Sequence, residues 1–318
     1  MTGKAWQARS RQWLTLCFVV LVCTLLYWMA RHLDWHQVLR SIQGYEPGTL
    51  LLGLAMALLS YALVSGYDLL ARAYTGHTLP VRHVLPVAFV CYAFNLNFTT
   101  WIGGIALRLR LYKRLGLETA TVTQIITLGI VTNWIGYAAL AGVVFSLRLV
   151  TLPDSWSLGA LGLQLIGLTL VVIAGGYLLA CGWARQRAWA WGRYEFTLPS
   201  LRLALFQVGL GASNWALMAG LMFLLLPAPL SYPAVLGVLL ISCVAGVITH
   251  IPAGLGVLEA VFLALLHDQL DQGPLVAALL GYRTLYYLIP LLLAGASYLV
   301  LEKRAKAMRQ SANESPGG

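Results

Sequence analysis

Charge is scarce in this 318-residue chain: Asp, Glu, Lys and Arg together make up 10% of it, where soluble domains carry about 25%. An ordinary water-soluble globule is thereby excluded. Acidic residues are the scarcer sign, 11 against 21 Lys plus Arg, which leaves a net charge of +10. There is no Gly-Lys-Ser/Thr phosphate loop, so ATP hydrolysis is not expected of this chain. Cysteines are few, and Cys17, Cys23, Cys91, Cys181 and Cys243 all fall in apolar segments. Lacking metal-ligand pairing and any disulfide framework, they read as packing residues. The N-terminus lacks a cleavage site: Tyr27, Trp28 and Met29 stand where small residues belong, so its apolar stretch is read as a retained first helix.

Apolar residues dominate instead, at 59% of the chain with a mean hydropathy of +0.77. A helix crosses the hydrocarbon core with about 20 apolar residues, and full spans read at 14–30, 48–71, 120–147, 158–183, 203–227 and 275–301. Two further apolar runs are interrupted. The run 84–107 breaks at Asn95-Leu-Asn97-Phe-Thr99-Thr100-Trp-Ile-Gly103-Gly104, and the run 234–266 breaks at His250-Ile-Pro252-Ala-Gly254-Leu-Gly256. A bilayer tolerates broken backbone only where protein or a water-lined cavity covers it, so each run is expected to be a re-entrant helical hairpin. The expected fold class is an all-α integral membrane protein, about six full transmembrane helices plus two re-entrant hairpins, in a single transmembrane domain over 1–318.

With both runs re-entrant, the clusters Arg108, Arg110, Lys113, Arg114 and Lys303, Arg304, Lys306, Arg309 lie inside with most other basic residues. Only Arg31, Arg40 and Arg148 lie outside. That is the positive-inside distribution, and it makes both termini cytoplasmic. Basic residues beside spans need no nucleic acid; membrane phospholipids are the expected partners. Residues 31–47, with Leu33, Trp35, Leu39 and Ile42 at helical spacing, read as an outer amphipathic helix, and 302–318 as a cytoplasmic tail.

In this topology the segment 48–147 and the segment 203–301 are antiparallel copies, each a span, a hairpin and a span. The helix at 158–183 links them. One register places Gly103 on Gly254, Arg108 on Glu259, and Thr132 and Asn133 on Arg283 and Thr284; a neighbouring one places Ser65 on Ser213. Paired broken segments in opposed halves are the sequence signature of a transport site.

The residues with chemistry cluster at the breaks. Gly103, Gly104, Gly254 and Gly256, with Pro252, supply turns at hairpin tips, or else allow close helix packing. Helix N-termini there could hold an anionic head group. Asn95, Asn97, Thr99 and Thr100 either bond to such a group or satisfy broken backbone. Glu259 and Arg283 are charges within spans, which are costly and default to function; the alternative is that they pair with each other or with Arg108 to lock the hairpins. Arg108 and Arg110 stand at the inner boundary, as topology charges or as phosphate contacts. Asp68 reads as an interfacial ion pair with Arg72, one turn on. Tyr282, Tyr286 and Tyr287 surround Arg283, as core packing or as head-group contacts. No cofactor or metal is expected: His32, Asp34 and His36 lack a further ligand, as do Asp268 and Asp271, and His250 reads as a tip residue.

The strings Phe94-Asn-Leu-Asn-Phe-Thr-Thr-Trp-Ile-Gly-Gly, Arg108-Leu-Arg-Leu-Tyr-Lys-Arg-Leu-Gly, Ile251-Pro-Ala-Gly-Leu-Gly-Val-Leu-Glu259 and Tyr282-Arg-Thr-Leu-Tyr-Tyr resemble those of the YbhN-type (UPF0104) inner-membrane proteins. These lie within the wider family containing the membrane region of bacterial lysyl-phosphatidylglycerol synthases, and the likeness spans about residues 1 to 305. It implies a bacterial inner-membrane flippase or lipid-transport protein, not an enzyme, for an anionic phospholipid such as cardiolipin or phosphatidylglycerol. Two other readings stay open: a non-transporting partner of a lipid-synthesis or lipid-export complex, and a membrane-embedded head-group transferase.

Overall fold

A computed structural model describes residues 43–98, 104–150, 159–184, 188–191, 194–227, 230–249 and 251–299, with His36 and Arg40. The expected first helix, most of the outer amphipathic helix, the tail, and Thr99, Thr100, Gly103 and His250 lie outside the described residues. The helices are α1 (Pro47–Thr75), α2 (Val81–Asn97), α3 (Leu107–Arg114), α4 (Thr119–Ser146), α5 (Gly159–Trp183), α6 (Leu201–Leu225), α7 (Tyr232–Thr249), α8 (Val257–Leu266) and α9 (Gln272–Leu299). Local chemistry sets their ends. Pro47 opens α1, where a missing N–H costs nothing, and Gly76 closes it in the left-handed region at φ +70°. Ser200 caps α6 by accepting from the Leu203 amide.

Among the described residues, six helices are long and apolar enough to cross a membrane: α1, α4, α5, α6, α7 and α9. Five coincide with expected full spans to within a few residues. The sixth, α7, is the first arm of the second interrupted run; at 1.5 Å per residue it is about 27 Å long, whereas α8 beyond the break is about 15 Å. The halves repeat an order: α1, α2, break, α3, α4, and then α6, α7, break, α8, α9. One departure from the all-α expectation is a short antiparallel hairpin between α5 and α6, β1 (Ala188–Trp191) with β2 (Tyr194–Thr197). Its strands alternate around a two-residue Gly192-Arg193 connection, a hairpin signal in the sequence. The Tyr74 hydroxyl at the end of α1 donates to the Thr197 carbonyl at 2.6 Å, tying the hairpin to the bundle.

The core lies where α6 meets α1 and α4. Gly136 on α4 and Gly211 on α6 face each other so closely that a Cβ on either would overlap the other's backbone. Small residues permit this approach, and packing rather than water exclusion holds helices together in lipid. Polar glue completes the junction: Gln207 on α6 donates to Thr132 on α4 at 2.9 Å and accepts from Tyr177 on α5 at 2.5 Å.

Candidate functional site

The second break is a built corner. A 3-10 turn spans Pro252–Gly254, with Ala253 at φ +56° and Gly254 at +55°, and Gly256 follows at +77°, so three residues of the corner sit in the left-handed region. Glycine enters that region freely, while alanine pays about 1–2 kcal/mol. Arg283 on α9 holds the corner. Its NH1 donates to the Ala253 carbonyl at 2.5 Å and its NH2 to the Gly254 carbonyl at 2.8 Å, while Nε and NH2 grip Glu259 at 2.8 and 3.2 Å. The guanidinium also stacks over the Tyr287 ring, 4.7 Å from its centre. Glu259 lies in the first turn of α8, so a carboxylate of the protein itself already faces the positive end of that helix.

Arg108 belongs elsewhere. It pairs at 3.1 Å with Asp68 on α1, whose side chain is wholly buried, and the Tyr112 hydroxyl donates to the same carboxylate at 2.6 Å. The expected partner Arg72 instead donates its Nε to the Leu79 carbonyl. This corrects the reading of Asp68 as an interfacial partner of Arg72: burial makes its carboxylate demand the strongest donors in reach, and those come from α3. Arg110, one residue beyond Leu109, is exposed.

Between α1, α2, α6 and α9 runs a buried hydroxyl chain. Tyr92 donates to the Tyr286 hydroxyl at 3.0 Å, Tyr286 to Ser60 at 2.8 Å, and Ser60 to Asn214 Oδ1 at 2.5 Å. It is anchored on a π-helical stretch of α9, Arg283–Leu288. Such a stretch displaces carbonyls from the usual ladder, and here Tyr61 donates to the Tyr286 carbonyl and Asn97 to that of Tyr287.

A cavity of about 600 Å³ opens between the two breaks. The first contributes Asn95, Leu96 and Phe98; the second contributes Ile251, Ala253, Gly254 and Leu258; Tyr282 and Tyr287 of α9 and Trp215, Met218 and Ser242 also line it. Two of its polar atoms, Tyr282 Oη and Asn95 Oδ1, are buried without a hydrogen-bond partner, a state that costs about 1–3 kcal/mol per group. Asn95 folds over Gly104, where a Cβ would stand 2.6 Å from its Oδ1, so a larger residue there would displace the Asn95 side chain.

Of the residues singled out in the sequence, the structure therefore brings Asn95, Gly254, Tyr282 and Tyr287 to the cavity. Gly104 lies beneath Asn95, Pro252 and Gly256 shape the corner, and Asn97 satisfies backbone, also donating to the Ala93 carbonyl. Tyr286 is buried in the hydroxyl chain. Arg108, Glu259 and Arg283 divide into two ion pairs, and none of the three lines the cavity. Sequence reasoning did not find Tyr61, Ser60, Tyr92, Asn214, Trp215 or Ser242; its available signal was a polar side chain within an otherwise apolar run.

The sequence matches the description "Lysylphosphatidylglycerol synthase TM region" over residues 14–294. The chain belongs to this family. Within it, the chain is similar to Inner membrane protein YbhN of Escherichia coli (strain K12), 46% identical over 301 residues that cover 94% of this chain and 95% of that protein. It is also similar to the protein slr0712 of Synechocystis sp., 33% identical over 305 residues covering 94% of each. Six helices of spanning length among the described residues, together with a relative named for the inner membrane, support a multi-pass inner-membrane location for this family member.

Proposed function

We propose that this chain is an inner-membrane lipid transporter, a flippase rather than an enzyme, which moves a phospholipid between leaflets without ATP. The observation that carries this reading is a cavity lined by both breaks, with Asn95, Leu96 and Phe98 from the first and Ile251, Ala253 and Gly254 from the second. Transport sites in inverted-repeat folds lie between broken helices near the midplane. The repeated order of long, broken, short and long helices supports reading 48–147 and 203–301 as such a repeat, with both runs re-entrant. A polar head group cannot cross dry hydrocarbon cheaply, since each unsatisfied group costs several kcal/mol; a hydrated break lowers that barrier while acyl chains stay in the bilayer. The match to the membrane region of a lipid synthase supports lipid as the cargo class. An anionic lipid, cardiolipin or phosphatidylglycerol, suits Arg82, Arg110, Lys113 and Arg114 flanking the α2–α3 run.

The purified protein in vesicles should accelerate dithionite quenching of fluorescent cardiolipin or phosphatidylglycerol from the inner leaflet, relative to Gly104→Leu/Gly254→Leu and to empty vesicles. Equal rates in all three, with and without a proton gradient, overturn autonomous transport. The chain would then act as a non-transporting partner of a lipid-synthesis or lipid-export complex.

A further inference from the structure

The cavity between the breaks has a chemical character of its own. Tyr282 is fully buried, yet its hydroxyl has no partner, and the Oδ1 atom of Asn95 on the facing break has none either. Buried polar atoms in native proteins are nearly always satisfied, so two orphaned atoms on residues lining one cavity point to a ligand that satisfies them. Among the described residues that line the cavity, none is charged. Arg283 spends its guanidinium on Glu259 and on the Ala253 and Gly254 carbonyls, and Arg108 is engaged by Asp68. The electrostatics of the α8 N-terminus are likewise taken by Glu259. Leu96, Phe98, Trp215, Met218, Leu239 and Val247 supply the rest of an apolar chamber, of a size usual for pockets that enclose small organic ligands.

We propose that this cavity binds the uncharged, oxygen-bearing part of a lipid: its glycerol hydroxyl or ester, with the first part of one acyl chain. Tyr282 donates to a hydroxyl or ester oxygen, and Asn95 Oδ1 accepts from a hydroxyl. Phosphate does not rest in the cavity, because a desolvated anion without a cation is far costlier than a desolvated alcohol. The proposal deepens the lipid-transport reading and rests on it for the class of ligand. Two sources carry this chemistry, a neutral glycerolipid, or the glycerol of a phospholipid whose phosphate stays outside the cavity.

Three photoreactive single-chain probes of equal length test it on the whole protein in nanodiscs: a monoacylglycerol, a lysophosphatidylglycerol and an oxygen-free alkane. The monoacylglycerol should label Met218, Leu239 or Val247 about tenfold more than the alkane, the factor that one hydrogen bond gives. Tyr282→Phe should remove part of that excess without lowering the melting temperature, since it removes an orphaned hydroxyl. Asn95→Ala should reduce it independently. Equal labelling by the lysophospholipid, with the same dependence on Tyr282, assigns the source to phospholipid; labelling by the monoacylglycerol alone assigns it to a neutral glycerolipid. Labelling by the alkane as strong as by the glycerolipid, labelling indifferent to Tyr282→Phe and Asn95→Ala, or labelling that requires the phosphate overturns the proposal. Lipid exchange measured on the same samples separates the two ideas: exchange without Tyr282-dependent labelling removes the cavity chemistry alone, and Tyr282-dependent labelling without exchange removes the transport reading alone.

Discussion

At the residue scale, Arg283 is the hub of the second break, and removing it does more than unpair Glu259. Its side chain and that of Glu259 are 14% and 15% exposed, so breaking the pair from one side strands a charge at a cost of about 3–5 kcal/mol. Arg283→Leu also frees two carbonyls of a left-handed corner, so it should lower thermal stability more than Glu259→Leu does. Glu259→Gln, which still accepts from Arg283, should cost least. The double variant Glu259→Leu/Arg283→Leu should be more stable than Arg283→Leu alone, because no buried charge is left over. Thermal unfolding in detergent measures the order; equal melting temperatures for the two Leu variants would refute the corner-holding role. At Ala253, φ +56° makes the opposite prediction. Ala253→Gly relieves the left-handed penalty and pays some unfolded-state entropy, for a net gain of about 0.5–1 kcal/mol in the same measurement.

At the element scale, α3 is held to α1 by Asp68, with Arg108 and Tyr112 as its two donors. Asp68→Asn removes the charge that satisfies Arg108, so α3 should loosen while α4, which packs on α5 and α6 through glycine contacts, should not. Hydrogen exchange should rise over 104–114 and stay unchanged over 119–146; a uniform rise would make the pair a contributor to global stability only. The sequence hid this pair for a physical reason. Asp68 and Arg72 lie one helical turn apart, the usual neighbour rule for helices, whereas the true partner comes from a different helix. The same holds for Ser60, Tyr286 and Asn214, which are far apart in the chain and become a hydroxyl chain only after three helices pack. Long apolar spans were legible because hydrocarbon thickness fixes their length, as α4 at Thr119–Ser146 against the expected 120–147 illustrates. The second corner was legible because Gly254 and Gly256 take the positive φ that glycine serves. The β1–β2 hairpin also carries a sequence signal, alternating aromatics on either side of a short connection, which an all-helical expectation leaves out.

At the scale of the whole molecule, the orientation of the two halves decides whether the breaks form one alternating-access site. Arg82, Arg110, Lys113 and Arg114 flank the α2–α3 run, and Ser231 and Gln269 stand at the ends of the α7–α8 run. If each run enters and leaves by one face, every residue of the first set lies inside and every residue of the second outside, as the positive-inside bias requires. A run that crossed fully would instead put its two ends on opposite faces. Of the described helices in the two interrupted runs, α7 has a spanning length by itself, so the second run is the sharper test. Single cysteines at Arg82, Arg110, Ser231 and Gln269, exposed positions in a variant without the native cysteines, can be probed with an impermeant thiol reagent in intact spheroplasts. Ser231→Cys and Gln269→Cys should label from outside at similar rates, and Arg82→Cys and Arg110→Cys only after permeabilisation. Protection of either Ser231→Cys or Gln269→Cys alone would make the second run a full span, and labelling of Arg110→Cys from outside would do the same for the first. In either case the two halves would no longer be inverted copies, and the cavity between their breaks would lose the symmetry that lets one site face each side of the membrane in turn.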